Sequence, residues 1–153
     1  EWRGRHRQVY IIPCKGTKMT AIGFIGLGNM GSAAARNLQR AGFDLVVHDL
    51  RRSAADTLIQ HGATWADSPA DVINQAEAVV TMVFGPAQVA QVLQGENGLL
   101  SGQCTGKLWI DMTTNSPVLM RKLATIFEQA GGLAVDAPVT MLEYIGYVQG
   151  YRQ

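Results

Sequence analysis

Cysteine is scarce, with only Cys14 and Cys104 among 153 residues. That excludes a disulfide framework and any cysteine-based metal spacing, and it fits a reducing compartment, the cytoplasm. Long apolar runs are missing too. None approaches the roughly 20 residues that a helix needs to cross a bilayer, so no membrane partner is expected. Neither sign of charge dominates, since 13 Lys and Arg face 12 Asp and Glu. The balance hides a split: Arg3, Arg5, Arg7, Lys15 and Lys18 crowd the first 18 positions beside Glu1, leaving 8 basic and 11 acidic residues in the other 135. A slightly acidic body offers no polyanion-binding face, which excludes a nucleic-acid partner. There is no Gly-x-Ser-x-Gly elbow, Walker loop or Cys-x-x-Cys pair, and no internal repeat or low-complexity segment. His6, His48 and His61 share no catalytic spacing with Cys or Ser and read as packed or exposed side chains.

What is present begins after the leader. Residues 1–18 lack hydrophobic periodicity, and Met19 stands where a natural start would fall. The leader is Arg-rich but has no Ser and no amphipathic period, unlike a transit peptide, so upstream read-through or an added segment is expected. From Thr20 onward, short apolar runs alternate with amphipathic stretches. Strands are predicted at Thr20–Ile25, Asp44–His48, Ala78–Val83, Lys107–Asp111 and Leu133–Val135. Helices are predicted at Asn29–Arg40, with Met30, Ala33, Ala34, Asn37 and Leu38 on its inner face, and at Ser53–His61, with Ser53 as N-cap. Three more start at Ser68-Pro69, Pro86 and Ser116-Pro117, where proline suits the first helical position. Gly42, Gly62 and Gly131-Gly132 supply stops, and Gly95–Gly98 reads as a loop. Trp65 and Trp109 read as core or strand-edge aromatics. Strands apolar on both faces and separated by helices indicate an α/β fold, a doubly wound parallel sheet of the Rossmann kind.

The first turn carries the chemistry. Gly26-Leu27-Gly28-Asn29-Met30-Gly31 follows a strand and opens a helix, the context that gives the G-x-G-x-x-G spacing its meaning. Gly26 permits the tight turn, Gly28 lets a pyrophosphate approach the backbone, and Gly31 lets the helix pack on the strand. Unpaired N–H groups at the helix start, aided by the helix dipole, then hold phosphate charge. The bland alternative is a packing turn without a ligand. Asp49 ends the second strand 18 positions after Gly31, near the spacing expected of an acid that accepts hydrogen bonds from the adenosine ribose. Its carboxylate repels a 2′-phosphate and so favours NAD. Arg51 and Arg52 leave NADP open, because with Asp49 turned away their guanidinium groups could clamp that phosphate. His48 could lie near the adenine.

Taken together, Gly23–Gly31, Gly95-Glu96-Asn97-Gly98, Ile110-Asp111-Met112-Thr113-Thr114 and Asp136-Ala137-Pro138-Val139-Thr140 resemble the β-hydroxyacid dehydrogenase family. That family includes 3-hydroxyisobutyrate dehydrogenase and tartronate semialdehyde reductase, with 6-phosphogluconate dehydrogenase more distant. The likeness runs from about Met19 to Thr140, in order and spacing. It implies that Val83 and Phe84 border the cofactor where the family has Leu-Pro, that Thr114 lies near the nicotinamide ribose, and that Thr140 helps hold a substrate carboxylate. For Thr114 the alternative is a cap on the following helix. The two glycines that the family places after Thr140 are Met141 and Leu142 here.

The resemblance also implies a catalytic lysine and an all-helical second domain some fifty residues further on, and this sequence ends at Gln153. Lys107 and Lys122 read as solvated charges. The expected division is a leader (1–18), an NAD(P)-binding domain (19–140) and a divergent tail (141–153), a truncated or frame-shifted reading frame that is inactive alone. The implied reaction interconverts a small 3-hydroxy acid and its aldehyde or keto form, using NAD or NADP. The resemblance leaves room for a homo-oligomer, with uncovered apolar surface and poor solubility if the chain folds alone. The competing reading is a non-catalytic nucleotide-sensing module.

Overall fold

The computed structural model describes residues 21–139. The leader, Met19, Thr140 and the tail 141–153 lie outside the described residues. Six parallel strands form one sheet in the order β3-β2-β1-β4-β5-β6: β1 (Ile22–Ile25), β2 (Leu45–His48), β3 (Thr64–Trp65), β4 (Ala78–Thr81), β5 (Leu108–Asp111) and β6 (Leu133–Asp136). Five helices connect them: α1 (Asn29–Arg40), α2 (Asp56–Gln60), α3 (Pro69–Gln75), α4 (Pro86–Gln94) and α5 (Pro117–Gln129). The sheet is doubly wound. On one face α1 and α2 cover a core that includes Phe24, Leu45, Val47, Ala35 and Leu58. On the other, α3, α4 and α5 cover Val72, Val79, Leu93, Trp109, Leu123 and Phe127. The edge of the Phe127 ring meets Trp109 with centroids 5.6 Å apart.

Local chemistry explains the elements. β1, β2 and β4 are buried along their whole length, as expected of central parallel strands covered on both faces. Gly23 in β1 is needed for packing: a Cβ there would run into Val72 of α3 and press on Val79 and Ala76. The Ser68 hydroxyl caps α3 by accepting the Asp71 N–H at 3.1 Å, and Pro69 takes the first helical position, as foreseen. Gly42, Gly62 and Gly131 end their helices at positive φ, a conformation that costs glycine little.

Several details depart from the sequence reading. Ser53 does not cap α2. The segment opens instead as a 3-10 turn, Arg52–Ala55, which continues into α2 with no side-chain cap. The inner face of α1 is built from Gly31 and Ala35, with Ala34 and Leu38 packing beside them, whereas Ala33 and Asn37 face water. The two-residue β3 was not foreseen; Thr64-Trp65 is too short to show a period. Lys107 is no solvated charge, because its Nζ donates to the Ala76 carbonyl at 2.7 Å. The outermost strand, β6, is largely uncovered, with Leu133 and Val135 both exposed. No helix among the described residues is long and apolar enough to cross a membrane.

Candidate dinucleotide site

The chain leaves β1 towards β2 on one side and leaves β4 towards β5 on the other, so the winding reverses between β1 and β4. At such a switch point the carboxyl ends of the two strands open a crevice that neither crossover fills. The glycine turn sits there, pinned from both sides. The Gly26 N–H donates to the His48 carbonyl of β2 at 3.0 Å, and the Met82 N–H donates to the Ile25 carbonyl at 2.9 Å. Gly26 has φ +95°, and a Cβ on it would strike the Met82 backbone. A Cβ on Gly31 would run into the Gly26 carbonyl oxygen, so the first turn of α1 lies directly on the loop.

Gly28 is different. It is exposed, and a Cβ built on it meets nothing within 4 Å. It stands at the N-cap of α1 with no side-chain cap bond, and the first turn contains no acidic residue. The first helical bond is Ser32 N–H to the Gly28 carbonyl at 2.9 Å. Among the described residues, the N–H groups of Gly28, Asn29, Met30 and Gly31 find no acceptor, as geometry requires of a helix start without a cap. Four aligned donors, about half a positive charge from the helix dipole and open space above a residue without a side chain fit a diphosphate.

Asp49 lies beside the turn. Its Oδ2 accepts the Leu27 N–H at 2.8 Å and its Oδ1 accepts the Arg51 N–H at 2.8 Å. A carboxylate offers about four lone-pair positions, so two remain for ribose hydroxyls. Arg51 Nε is 3.9 Å from Oδ1 with its side chain 75% exposed, a contact worth little in water. Asp49 is therefore not turned away, and Arg52 is engaged elsewhere, with its guanidinium 4.7 Å above the Trp65 ring. His48 is packed, with Nδ1 2.9 Å from the Ala66 carbonyl oxygen and its ring 5.5 Å from that of Trp65.

The far side of the crevice is formed by the loops after β4 and β5. Val83 is half-buried and donates its N–H to Thr113 Oγ1 at 3.1 Å. Phe84 projects into water with 99% of its surface exposed, and Leu50, after β2, is 95% exposed. Thr114 is exposed; among the described residues its only hydrogen bond is a long one, 3.5 Å, to the Val139 carbonyl. It does not cap α5, whose N-cap position belongs to Ser116. Thr140 lies outside the described residues. Neither described lysine is at the crevice: Lys107 precedes β5, at the opposite edge of the sheet, and Lys122 is exposed midway along α5.

The sequence reading assigned no role to Asp111 and Thr113, which the structure buries behind this crevice. A signal existed: the carboxylate ends a run of Leu108, Trp109 and Ile110 at the carboxyl end of a buried strand. Among the described residues, no group of three or more His, Cys, Asp or Glu could hold a metal ion.

Residues 21–141 match the family described as the NAD binding domain of 6-phosphogluconate dehydrogenase. The chain is 42% identical over 121 residues to 3-sulfolactaldehyde reductase of Escherichia coli, covering 79% of this chain and 41% of that protein. It is 34% identical over 143 residues to mitochondrial 3-hydroxyisobutyrate dehydrogenase of Mus musculus, covering 91% of this chain and 43% of the relative. Among solved structures, 3-hydroxyisobutyrate dehydrogenase of Mycobacterium tuberculosis with L-serine superposes with a TM-score of 0.73 at 32% identity, covering 80% of this chain and 41% of that one. The chain thus spans about two fifths of the length of these relatives.

Proposed function

We propose, on the premise that this chain belongs to the family of the NAD binding domain of 6-phosphogluconate dehydrogenase, that it is the cofactor-binding part of an NAD(P)-dependent oxidoreductase. The substrate class is a small 3-hydroxy acid and its aldehyde; one relative is named for a 3-hydroxy acid and another for an aldehyde. The observation that carries this reading is the open space at Gly28 over four N–H groups without acceptors.

When bound, the dinucleotide supplies the hydride donor or acceptor. The chain's own residues bind and orient it. The amides from Gly28 to Gly31 hold the diphosphate, with Leu27 and Met30 shaping the turn around it. Asp49 accepts from the ribose hydroxyls of the adenosine half, which favours NAD. Val83, Phe84 and Thr114 border the nicotinamide half, and the bare Phe84 ring gains cover when the site fills. In this reading residues 19–140 form the cofactor domain, and Thr140 is the residue that helps hold the substrate carboxylate. In this reading the proton on the substrate oxygen is handled by the lysine that the family resemblance implies, and neither described lysine reaches the crevice.

On that assignment the 153 residues are expected to bind dinucleotide without turnover. The test is to incubate the chain with 3-hydroxyisobutyrate and NAD, or NADP, while absorbance at the reduced nicotinamide band is followed beside a binding titration. Binding with no absorbance change is expected. Reduction of the nicotinamide by this chain alone would overturn the assignment of the acid/base group.

A further inference from the structure

Behind the crevice, a chain of buried hydrogen bonds runs from the core out to both nicotinamide-side loops. The Trp109 indole N–H donates to Thr81 Oγ1 at 3.0 Å, and the Thr81 hydroxyl donates to Asp111 Oδ1 at 2.7 Å. The same Oδ1 accepts the Thr113 N–H at 3.2 Å, and Oδ2 accepts from Asn115 Nδ2 at 3.4 Å. Thr113 Oγ1 in turn accepts the Val83 N–H at 3.1 Å. Thr81, Trp109 and Asp111 have no exposed surface, and Thr113 has 2%.

This arrangement is not needed to pair the strands. β4 and β5 are already joined by their backbone ladder from Ala78 and Leu108 to Thr81 and Asp111, and the Met112 N–H donates to the Thr81 carbonyl at 2.8 Å. A buried carboxylate is also a poor way to stabilise a core, because its desolvation offsets much of what its hydrogen bonds return. The side-chain bonds do something the ladder cannot. They continue past the last strand-to-strand backbone bonds, at Met82 and Met112, into segments 83–84 and 113–115. Those segments carry Val83, Phe84 and Thr114.

Resting on the dinucleotide reading above, we propose that Asp111 is a positioning residue for the nicotinamide half of the site. Its carboxylate, through Thr113, holds the β4 and β5 loops at a fixed separation. The adenosine half, on Gly28 and Asp49, lies on the other side of the switch point and does not depend on it. Pre-organised loops lose less freedom when the ligand arrives, so disrupting the link costs affinity for that half alone.

The experiment uses the full chain and two ligands: NADH, followed by nicotinamide fluorescence, and ADP, which lacks the nicotinamide riboside, followed by calorimetry. Asp111→Asn turns one oxygen into a donor facing the Asn115 amide. Thr113→Val removes the acceptor of the Val83 N–H at the margin of the core, and Thr113→Ser keeps it. Asp111→Asn and Thr113→Val are expected to weaken NADH about tenfold while ADP stays within about twofold, with Thr113→Ser like the parent. Equal losses for both ligands would mean general damage to the fold and would overturn the proposal, as would unchanged NADH affinity in Thr113→Val. A parent chain that binds ADP and NADH equally well would sink this proposal and leave the dinucleotide reading standing. A parent that binds neither would sink both.

Discussion

Gly31 packs so closely on Gly26 that a single methyl group on it would overlap the Gly26 carbonyl oxygen. Gly28, between them in the same turn, has room for that methyl group and more. Gly26 and Gly31 are packed against one another, and Gly28 between them is left open. Gly31→Ala should therefore lower stability by about 1–3 kcal/mol, the usual cost of overpacking, visible as a reduced Tm. Gly28→Ala should leave Tm unchanged, since φ −65° there suits alanine. It should nevertheless weaken dinucleotide binding by about tenfold or more, because the methyl group occupies the approach path. The pair of variants separates folding from recognition within six residues.

Asp49 holds the Leu27 and Arg51 N–H groups, and in the proposed reading it also presents charge to the ribose edge. Asp49→Ala should cost about 1 kcal/mol of stability for the two lost hydrogen bonds near the surface. Its larger effect should be on selectivity. With the carboxylate gone and Arg51 still exposed beside it, the preference for NADH over NADPH should narrow or reverse, read as the ratio of the two Kd values before and after substitution.

Much of this was legible in the sequence because the signals were local. Glycines at 26, 28 and 31, proline at 69, 86 and 117, and the largely apolar residues of β1 and β4 fix their own backbones, and the structure places the turn, the helix starts and both strands there, with β4 ending at Thr81 rather than Val83. What escaped depends on contacts between distant residues. Lys107 reads as solvated until α3 brings the Ala76 carbonyl to its Nζ. Ser53 loses its cap role because a 3-10 turn begins before it. Asp111 gained no role because its partner Thr81 meets it only when β4 lies beside β5. Asp49 was legible by its spacing, but its bond to Leu27 was not.

Burial pushes the Cys104 thiol above its ordinary range, and its Sγ–H points at the Leu99 carbonyl oxygen 3.2 Å away. The folded state thus prefers the protonated thiol. The stability this contributes is complete below the unfolded thiol pKa of about 8.5 and is lost as pH rises through the higher folded value. Melting curves recorded from neutral to alkaline pH should fall more steeply for the parent than for Cys104→Ala, which has no thiol to ionise at that position. Parallel curves would contradict the assignment.

Leu133 and Val135 leave 63% and 45% of their surface in water along β6, the outermost strand of the sheet. Among the described residues nothing pairs with its outer edge, and an exposed apolar edge strand binds hydrophobic dyes and favours association. Replacing both with Lys should reduce dye fluorescence and raise solubility with little change in Tm, because neither side chain belongs to a core cluster.

The central claim is that backbone amides at the start of α1 receive a diphosphate, and the most direct measurement is a titration of the purified chain with NADH, following nicotinamide fluorescence. A saturable rise that ADP reverses by competition, and that Gly28→Ala removes while the melting curve stays in place, is the predicted result. A parent chain with no saturable signal, or a Gly28→Ala variant that binds NADH as well as the parent does, would contradict it.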